Sequence, residues 1–280
     1  MISNFILFND KIVSSDEPIV KASNRNFKFG DGLFESMRMQ NNQLMFAELH
    51  AERIQQGAKF LKFEGYKLLD AYFLRQKTAE LNKRNKLNGS GRFRLSVFRE
   101  GEGLYTPDGN KYSYVLESVA AESGYELNSK GLIVDVYTEI TKSINKLSNF
   151  KTSNALLFVM AGLFKKQHKL DDAILLNDTG FVCETMSSNI FIVYQGQIYT
   201  PSLSEGCISG VMRNTIIKLA KEQNIEIIEA QINPQILNEA EEVFVTNAST
   251  GIRWVMGYGR KRYFNKVAKS LSHHLNKLIA

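Results

Sequence analysis

AAESGYELNSKG, Ala120 to Gly131, is a polar stretch with glycines at 124 and 131, set between runs of alternating apolar residues. Such a composition supplies no core, so it reads as the linker of a two-lobed chain: residues 1–120, a linker at 121–130, and residues 131–280. With 280 residues, 44% hydrophobic and 23% charged, the chain has the composition of a globular protein able to bury a substantial core.

Upstream of the linker, ILFNDKIV places Asn9 and Asp10 between short apolar runs, and LFESMRMQNNQLMF places Gln40, Asn41 and Asn42 likewise. Both are hairpin signals. Leu49, Ile54, Ala58 and Leu61 recur at helical spacing from Ala47 onward, and Asp70 to Lys86 repeats the pattern. Strands are predicted around Arg92 to Phe98 and Tyr112 to Val119.

Downstream, GLIVDVYT, DDAILLND, IEIIEA and EVFVTN read as strands, and NIFIVYQGQIYTP as a hairpin turning at Gln195 and Gly196. SNALLFVMAGLFKKQ predicts a helix starting near Ser153, SGVMRNTIIKLAKEQ a helix with Ser209 as N-cap, and Lys266 to Leu278 a closing helix. A short helix is expected near Pro234. The elements are mixed without strict alternation, which predicts an α/β (α+β) fold of two lobes and not a doubly wound sheet.

The net charge is +6, yet the basic residues are interspersed with acids, as in KLLDAYFLRQKTAELNKRNK (Lys67 to Lys86). That is a solvated helix face and not a nucleic-acid patch; anionic small substrates or a phosphate-bearing cofactor suit the charge. No window has the length of a membrane span, and the N-terminal apolar run is too short for a signal-peptide core. The two cysteines, Cys183 and Cys207, form neither a CxxC nor a regular framework, so a cytoplasmic protein with free thiols is expected. The four histidines, His50, His168, His273 and His274, lack metal-ligand spacing, and no metal is expected.

Lys151, in FKTSNALLFVMAG (Phe150 to Gly162), stands before an unbroken apolar run with no acidic neighbour. Partial desolvation and the positive end of a helix dipole would both lower the pKa of such an amine, which could then form a Schiff base with a carbonyl such as that of pyridoxal phosphate. That cofactor also needs an anion cradle and a carboxylate for its ring nitrogen. GCISGVMRNTI (Gly206 to Ile216) runs a glycine-containing turn into a helix start, where the amides of Val211 and Met212 suit a phosphate. Arg53, in ELHAERIQQ, is a candidate bidentate phosphate contact, and Glu184, in FVCETMSSNIF, a candidate carboxylate.

Taken together these segments resemble the class IV, fold-type IV pyridoxal-phosphate enzymes, which include branched-chain and D-amino acid aminotransferases and 4-amino-4-deoxychorismate lyases. SNRNFKFGDGLFESMR (Ser23 to Arg38) is similar to the N-terminal signature, and ELHAERI, NFKTSN, ETMSSNIF, SGVMR and FVTNASTGI follow in family order over nearly the whole chain. The resemblance implies a phosphate contact from Arg53, covalent attachment of the cofactor at Lys151 and a ring-nitrogen contact from Glu184. It also implies a phosphate loop at Ser209, Gly210, Val211 and Met212, a second phosphate turn at Asn247 and Ala248, and a homodimer.

Phe34 and Glu35 resemble the transaminases of the family. Met212, where they carry threonine, and Ala248, which offers the second turn only a backbone amide, resemble the lyases. For the substrate carboxylate the resemblance points to the strand RFRLSVFREGEG (Arg92 to Gly103), where Arg94 and Arg99 are candidates and Phe34 a lining residue. An aminotransferase acting on a small α-amino acid, branched-chain amino acids included, and a 2-oxo acid is the leading expectation. Aminodeoxychorismate lyase is the alternative, and a catalytically silent pyridoxal-phosphate binder the third.

Overall fold

The computed structural model describes residues 3–122 and 124–279. The chain divides into two compact units, one of residues up to Gly124 together with Phe150–Asn154, the other of Tyr125–Asn149 and Ala155 onward. Ser123, within the stretch read as a linker, and Ala280, at the end of the second lobe as read, lie outside the described residues, as do Met1 and Ile2.

The first unit comprises β1 (Phe5–Phe8), β2 (Lys11–Ser14), α1 (Arg25–Phe29), β3 (Gly32–Gln40), β4 (Gln43–Leu44), α2 (Ala47–Phe60), α3 (Ala71–Asn85), β5 (Gly91–Arg99) and β6 (Tyr112–Ala120). Its strands form one antiparallel sheet in the order β2-β1-β6-β5-β3-β4. Both hairpins turn where expected: Asn9 and the pair Asn41–Asn42 adopt the left-handed conformation that tight turns require and asparagine tolerates. Along β5, Phe93, Leu95 and Val97 are buried while Arg92 and Arg94 face out, the alternation of a sheet with one covered face. Ala47, Ala51, Ile54 and Ala58 of α2 join that core with Leu33, Met37 and Met39 of β3.

The second unit comprises β7 (Leu132–Lys142), α4 (Leu156–Gln167), β8 (Asp172–Asn177), β9 (Val182–Thr185), β10 (Asn189–Tyr194), β11 (Gln197–Pro201), α5 (Val211–Glu222), β12 (Ile227–Ala230), β13 (Glu242–Asn247), β14 (Gly251–Tyr258), β15 (Lys261–Arg262) and α6 (Lys266–Leu278). They build a mixed sheet, β12-β11-β10-β13-β14-β7-β8-β9, with β15 on β14. The pairs β11–β12, β14–β7 and β7–β8 are parallel and the others antiparallel, so the sheet is not doubly wound.

Two local expectations are corrected. The helix after Lys151 begins at Leu156 and not near Ser153, because the preceding backbone is engaged in β-pairing: Thr152 bridges to Leu33, Phe34 N–H donates to Lys151 O at 2.8 Å, and Ser153 N–H donates to Gly32 O at 2.9 Å. Ser209 is not an N-cap; α5 starts at Val211 behind Gly210, and no side chain caps it. Some of the polar residues after Gly124 also make structural bonds. Tyr125 N–H donates to Asn276 Oδ1 at 3.0 Å and its hydroxyl to Ala248 O at 2.9 Å, and Asn128 bonds the backbone of Trp254. Among the described residues, no helix is long and apolar enough to cross a membrane and no cluster of side chains is suited to a metal.

Candidate active site

In the first unit, β3 and α2 assemble a buried charged cluster. Arg53 sits one turn after His50 on α2, so both reach the same point of β3. The guanidinium clasps Glu35 in a fork, Nε to Oε1 at 2.8 Å and Nη2 to Oε2 at 2.6 Å, and His50 Nδ1 lies 2.6 Å from Oε2. Burial by itself would raise the Glu35 carboxyl, but the charge of Arg53 and the hydrogen bond from His50 outweigh it and hold it at about 2. Burial pulls His50 below its ordinary value, helped by the charges of Arg53 and Lys151. His50 is therefore a neutral ring donating Nδ1–H to Glu35, and its buried Nε2 has no hydrogen-bond partner.

Lys151 is fixed by the same strand through the backbone pairing to Phe34. Its Nζ lies 4.5 Å from the centre of the Phe34 ring, and the Arg94 guanidinium lies 3.7 Å from that centre. Phe34 thus carries both cations. Arg99 belongs elsewhere: Nε donates to Asp31 at 2.9 Å, Nη1 to Asn110 and Nη2 to the Leu61 carbonyl at 2.7 Å, and Arg25 shares Asp31. All three of its nitrogens are spent on holding loops.

In the second unit, Glu184 of β9 is 3% exposed. One carboxylate oxygen meets Lys142 Nζ at the end of β7, and the other accepts the Ile208 N–H at 3.1 Å. Ile208 belongs to the loop leading into α5, and Asn189 fastens that loop by donating to the Ile208 carbonyl at 2.9 Å. Asn149 adds bonds to the carbonyls of Leu203 and Cys207 and accepts the Ser209 N–H. The helix start that follows has no side-chain cap, which leaves it suited to an anion. At the end of β13, Asn247 Oδ1 accepts the amides of Ser249 and Thr250 at 3.0 and 2.9 Å, so the second turn is held in shape by its own asparagine. The buried Thr246 hydroxyl beside it has no partner.

Each unit by itself carries groups of the kind pyridoxal phosphate needs: the first a primary amine on a paired backbone and a guanidinium, the second a buried carboxylate with bonded oxygens and an uncapped helix start. Ser209 donates its backbone N–H to the Asn149 carbonyl, and its hydroxyl accepts a 3.5 Å contact from Asn214. Glu35 and His50 support Arg53 in the first unit, and Lys142 and Asn189 support Glu184 and the Ile208 loop in the second. The spacing of His50 and Arg53 was a legible hint; Lys142, at the end of a strand pattern, offered none.

The family model described as amino-transferase class IV matches residues 32–257. A Methanocaldococcus jannaschii protein described as a branched-chain-amino-acid aminotransferase is 28% identical over 262 residues, spanning 88% of this chain and 85% of that one. A crystal structure of the branched-chain aminotransferase of Thermoproteus uzoniensis with norvaline superposes with a TM-score of 0.88, covering 99% of this chain and 95% of that one at 21% identity. A Legionella pneumophila structure described as a 4-amino-4-deoxychorismate lyase gives 0.83, covering 94% and 96% at 22% identity. These structures share the fold, a mixed α/β fold of type IV.

Proposed function

This chain belongs to the class IV aminotransferases, a pyridoxal-phosphate-dependent class, and on that premise we propose that it moves the amino group between a branched-chain amino acid and a 2-oxo acid. The fixed placement of Lys151, with its backbone paired to β3 and its amine against Phe34, carries the proposal.

When bound, pyridoxal phosphate supplies the electron sink that makes the substrate Cα–H acidic. Lys151 would hold the cofactor covalently, and its amine, when free, would be the tethered base that carries the proton between the substrate Cα and C4′ of the cofactor. Glu184 would meet the ring nitrogen and hold a proton there. The amides of Val211 and Met212 would bind the phosphate with the guanidinium of Arg53, held in its fork on Glu35, and with the turn at Asn247 and Ala248. Arg94 receives the substrate carboxylate; Arg99, tied to Asp31, Asn110 and Leu61, is left out of that role.

Gly210 gives this scheme a steric test. A Cβ there would lie 1.8 Å from Asn189 Oδ1, so a methyl group displaces the side chain that fastens the phosphate loop. Gly210→Ala is expected to lower turnover roughly 100-fold through misplacement of the bound group. Cofactor titration of the apo-protein should show weaker binding in parallel; unchanged binding and turnover would remove the loop from the site.

The proposal extends to a cytoplasmic homodimer. Leu156, Val159 and Leu163 form an exposed apolar stripe on α4 that a second copy would cover, and Cys183 and Cys207 are both free and buried.

A second reading, release of pyruvate from aminodeoxychorismate, is favoured by Met212 and Ala248 and by the shared fold with the Legionella pneumophila protein. A panel of amino donors with 2-oxoglutarate, run beside aminodeoxychorismate, separates the readings. Transfer from leucine, isoleucine or valine is expected. Pyruvate release without transfer would replace the reading by the lyase, and a coloured protein inert to every substrate would make it a silent binder.

A further inference from the structure

We infer that Lys142 is a positioning residue for Glu184, whose charge keeps the proton shared by that carboxylate and the cofactor ring on the ring nitrogen. The inference rests on the reading that Glu184 meets that nitrogen.

Lys142 closes β7, and its ammonium is almost wholly withdrawn from water, 8% of the residue remaining exposed. Its Nζ bonds Glu184 Oε1 and the Ser148 carbonyl, the latter at 3.2 Å, with the Phe158 ring 5.6 Å away. Taking an ammonium out of water is costly, and an apolar pair of similar volume is commonly as stable as a buried ion pair, so stability is a weak reason for a lysine here. Its effect on the proton is a stronger one.

A carboxyl group and a pyridine sharing one proton can exist as a neutral pair, with the proton on oxygen, or as an ionic pair, with the proton on nitrogen. A buried site favours the neutral pair, because separated charges are poorly solvated there. A cation in contact with the carboxylate reverses this preference. It attracts the oxygen it touches more strongly than it repels a ring nitrogen lying beyond the carboxylate, since the Coulomb energy falls with distance. The Ile208 N–H on the other oxygen acts in the same sense.

The neighbouring thiols do not compete. Burial first, and the Glu184 charge second, push Cys183 far up and Cys207 up to about 11, so both remain neutral. Lys142 is accordingly the side chain that sets the strength of the electron sink, without touching substrate.

The test is the nitrogen-15 resonance of the ring in protein loaded with ring-labelled pyridoxal phosphate, near neutral pH. The wild type and Lys142→Arg should show a pyridinium nitrogen, and Lys142→Met should move most of the way to a hydrogen-bonded neutral pyridine. Lys142→Gln, which keeps a donor for Glu184 and for Ser148 O but no charge, should move with Lys142→Met and covers the case in which the apolar variant folds poorly. Glu184→Gln is the control for the underlying reading: an unshifted resonance there means that Glu184 does not meet the ring nitrogen. If Glu184→Gln shifts the resonance while the glutamine and methionine variants at 142 retain the wild-type position, the role assigned to Lys142 is wrong.

Discussion

Lys151→Ala is expected to reduce turnover by at least about 10,000-fold, the upper range for loss of a positioned general base. It should also remove the borohydride-reducible link between protein and cofactor. The two losses belong together because one amine performs both tasks, as covalent anchor and then as proton carrier. The protein should still fold, since the contribution of residue 151 to the β3 pairing comes from its backbone: its carbonyl accepts the Phe34 N–H, and alanine keeps that acceptor. Added methylamine should restore part of the proton transfer and none of the anchoring. Lys142, a buried lysine, is bound to Glu184 and the Ser148 carbonyl, and its variants should keep the reducible link. A link surviving in Lys151→Ala would transfer the nucleophile's role to another residue.

Glu35→Ala is expected to destabilise the protein by roughly 3–5 kcal/mol, the range for removing one partner of a buried ion pair. The substitution removes the buried carboxylate to which both the Arg53 guanidinium and the His50 Nδ1–H donate. It also has an acid signature. The Glu35 carboxyl is held at about 2 against an ordinary 4.5, so the unfolded chain takes up its proton first. At about 1.4 kcal/mol per pKa unit this is roughly 3 kcal/mol of stability. It is fully present above pH 4.5 and lost as the pH falls toward 2. His50, whose value burial lowers from 6.5, adds loss of the same sign from that pH downward, because its unfolded ring is protonated first. Urea unfolding across this acid range should fall steeply for the wild type and more gently for Glu35→Gln, which keeps the shape and loses the titration. Parallel curves would mean that the cluster contributes little to acid stability. Because the same fork orients Arg53, Glu35→Gln should also weaken cofactor retention at neutral pH.

The sheet of the first unit was legible because its signals are local. Alternation along Arg92 to Phe98 assigns the faces of β5, asparagines mark the hairpin turns, and Asp70 caps α3 through the Phe73 amide. Expectations departed from the structure where a distant partner decides the local conformation. The apolar run after Lys151 has helical composition, yet the backbone of Lys151, Thr152 and Ser153 is engaged by β3, and the helix starts only at Leu156. Ser209 has the residue type of an N-cap, but the loop fastened by Asn189 and Asn149 moves the helix start to Val211.

For the candidate site, the residues proposed to touch the cofactor were readable as motifs, and their supports were not. Arg99 looks from the sequence like an available guanidinium at a strand end, and only the fold brings Asp31, Asn110 and the Leu61 carbonyl to it. His50 carries no metal signature and is passed over until α2 packs on β3 and presents Glu35 to it. Lys142 meets Glu184 across 42 residues of chain, a separation that no local pattern records.

The central claim, that this chain is an aminotransferase whose amino group passes through a cofactor held by Lys151, is tested most directly by a single-turnover measurement. The protein is loaded with pyridoxal phosphate and mixed with leucine in the absence of any 2-oxo acid. The cofactor's visible absorbance should bleach together with stoichiometric release of the 2-oxo acid, halting after one turnover and resuming when 2-oxoglutarate is added. Continuous release of pyruvate from aminodeoxychorismate with no acceptor present, alongside an unchanged spectrum with leucine, would contradict it.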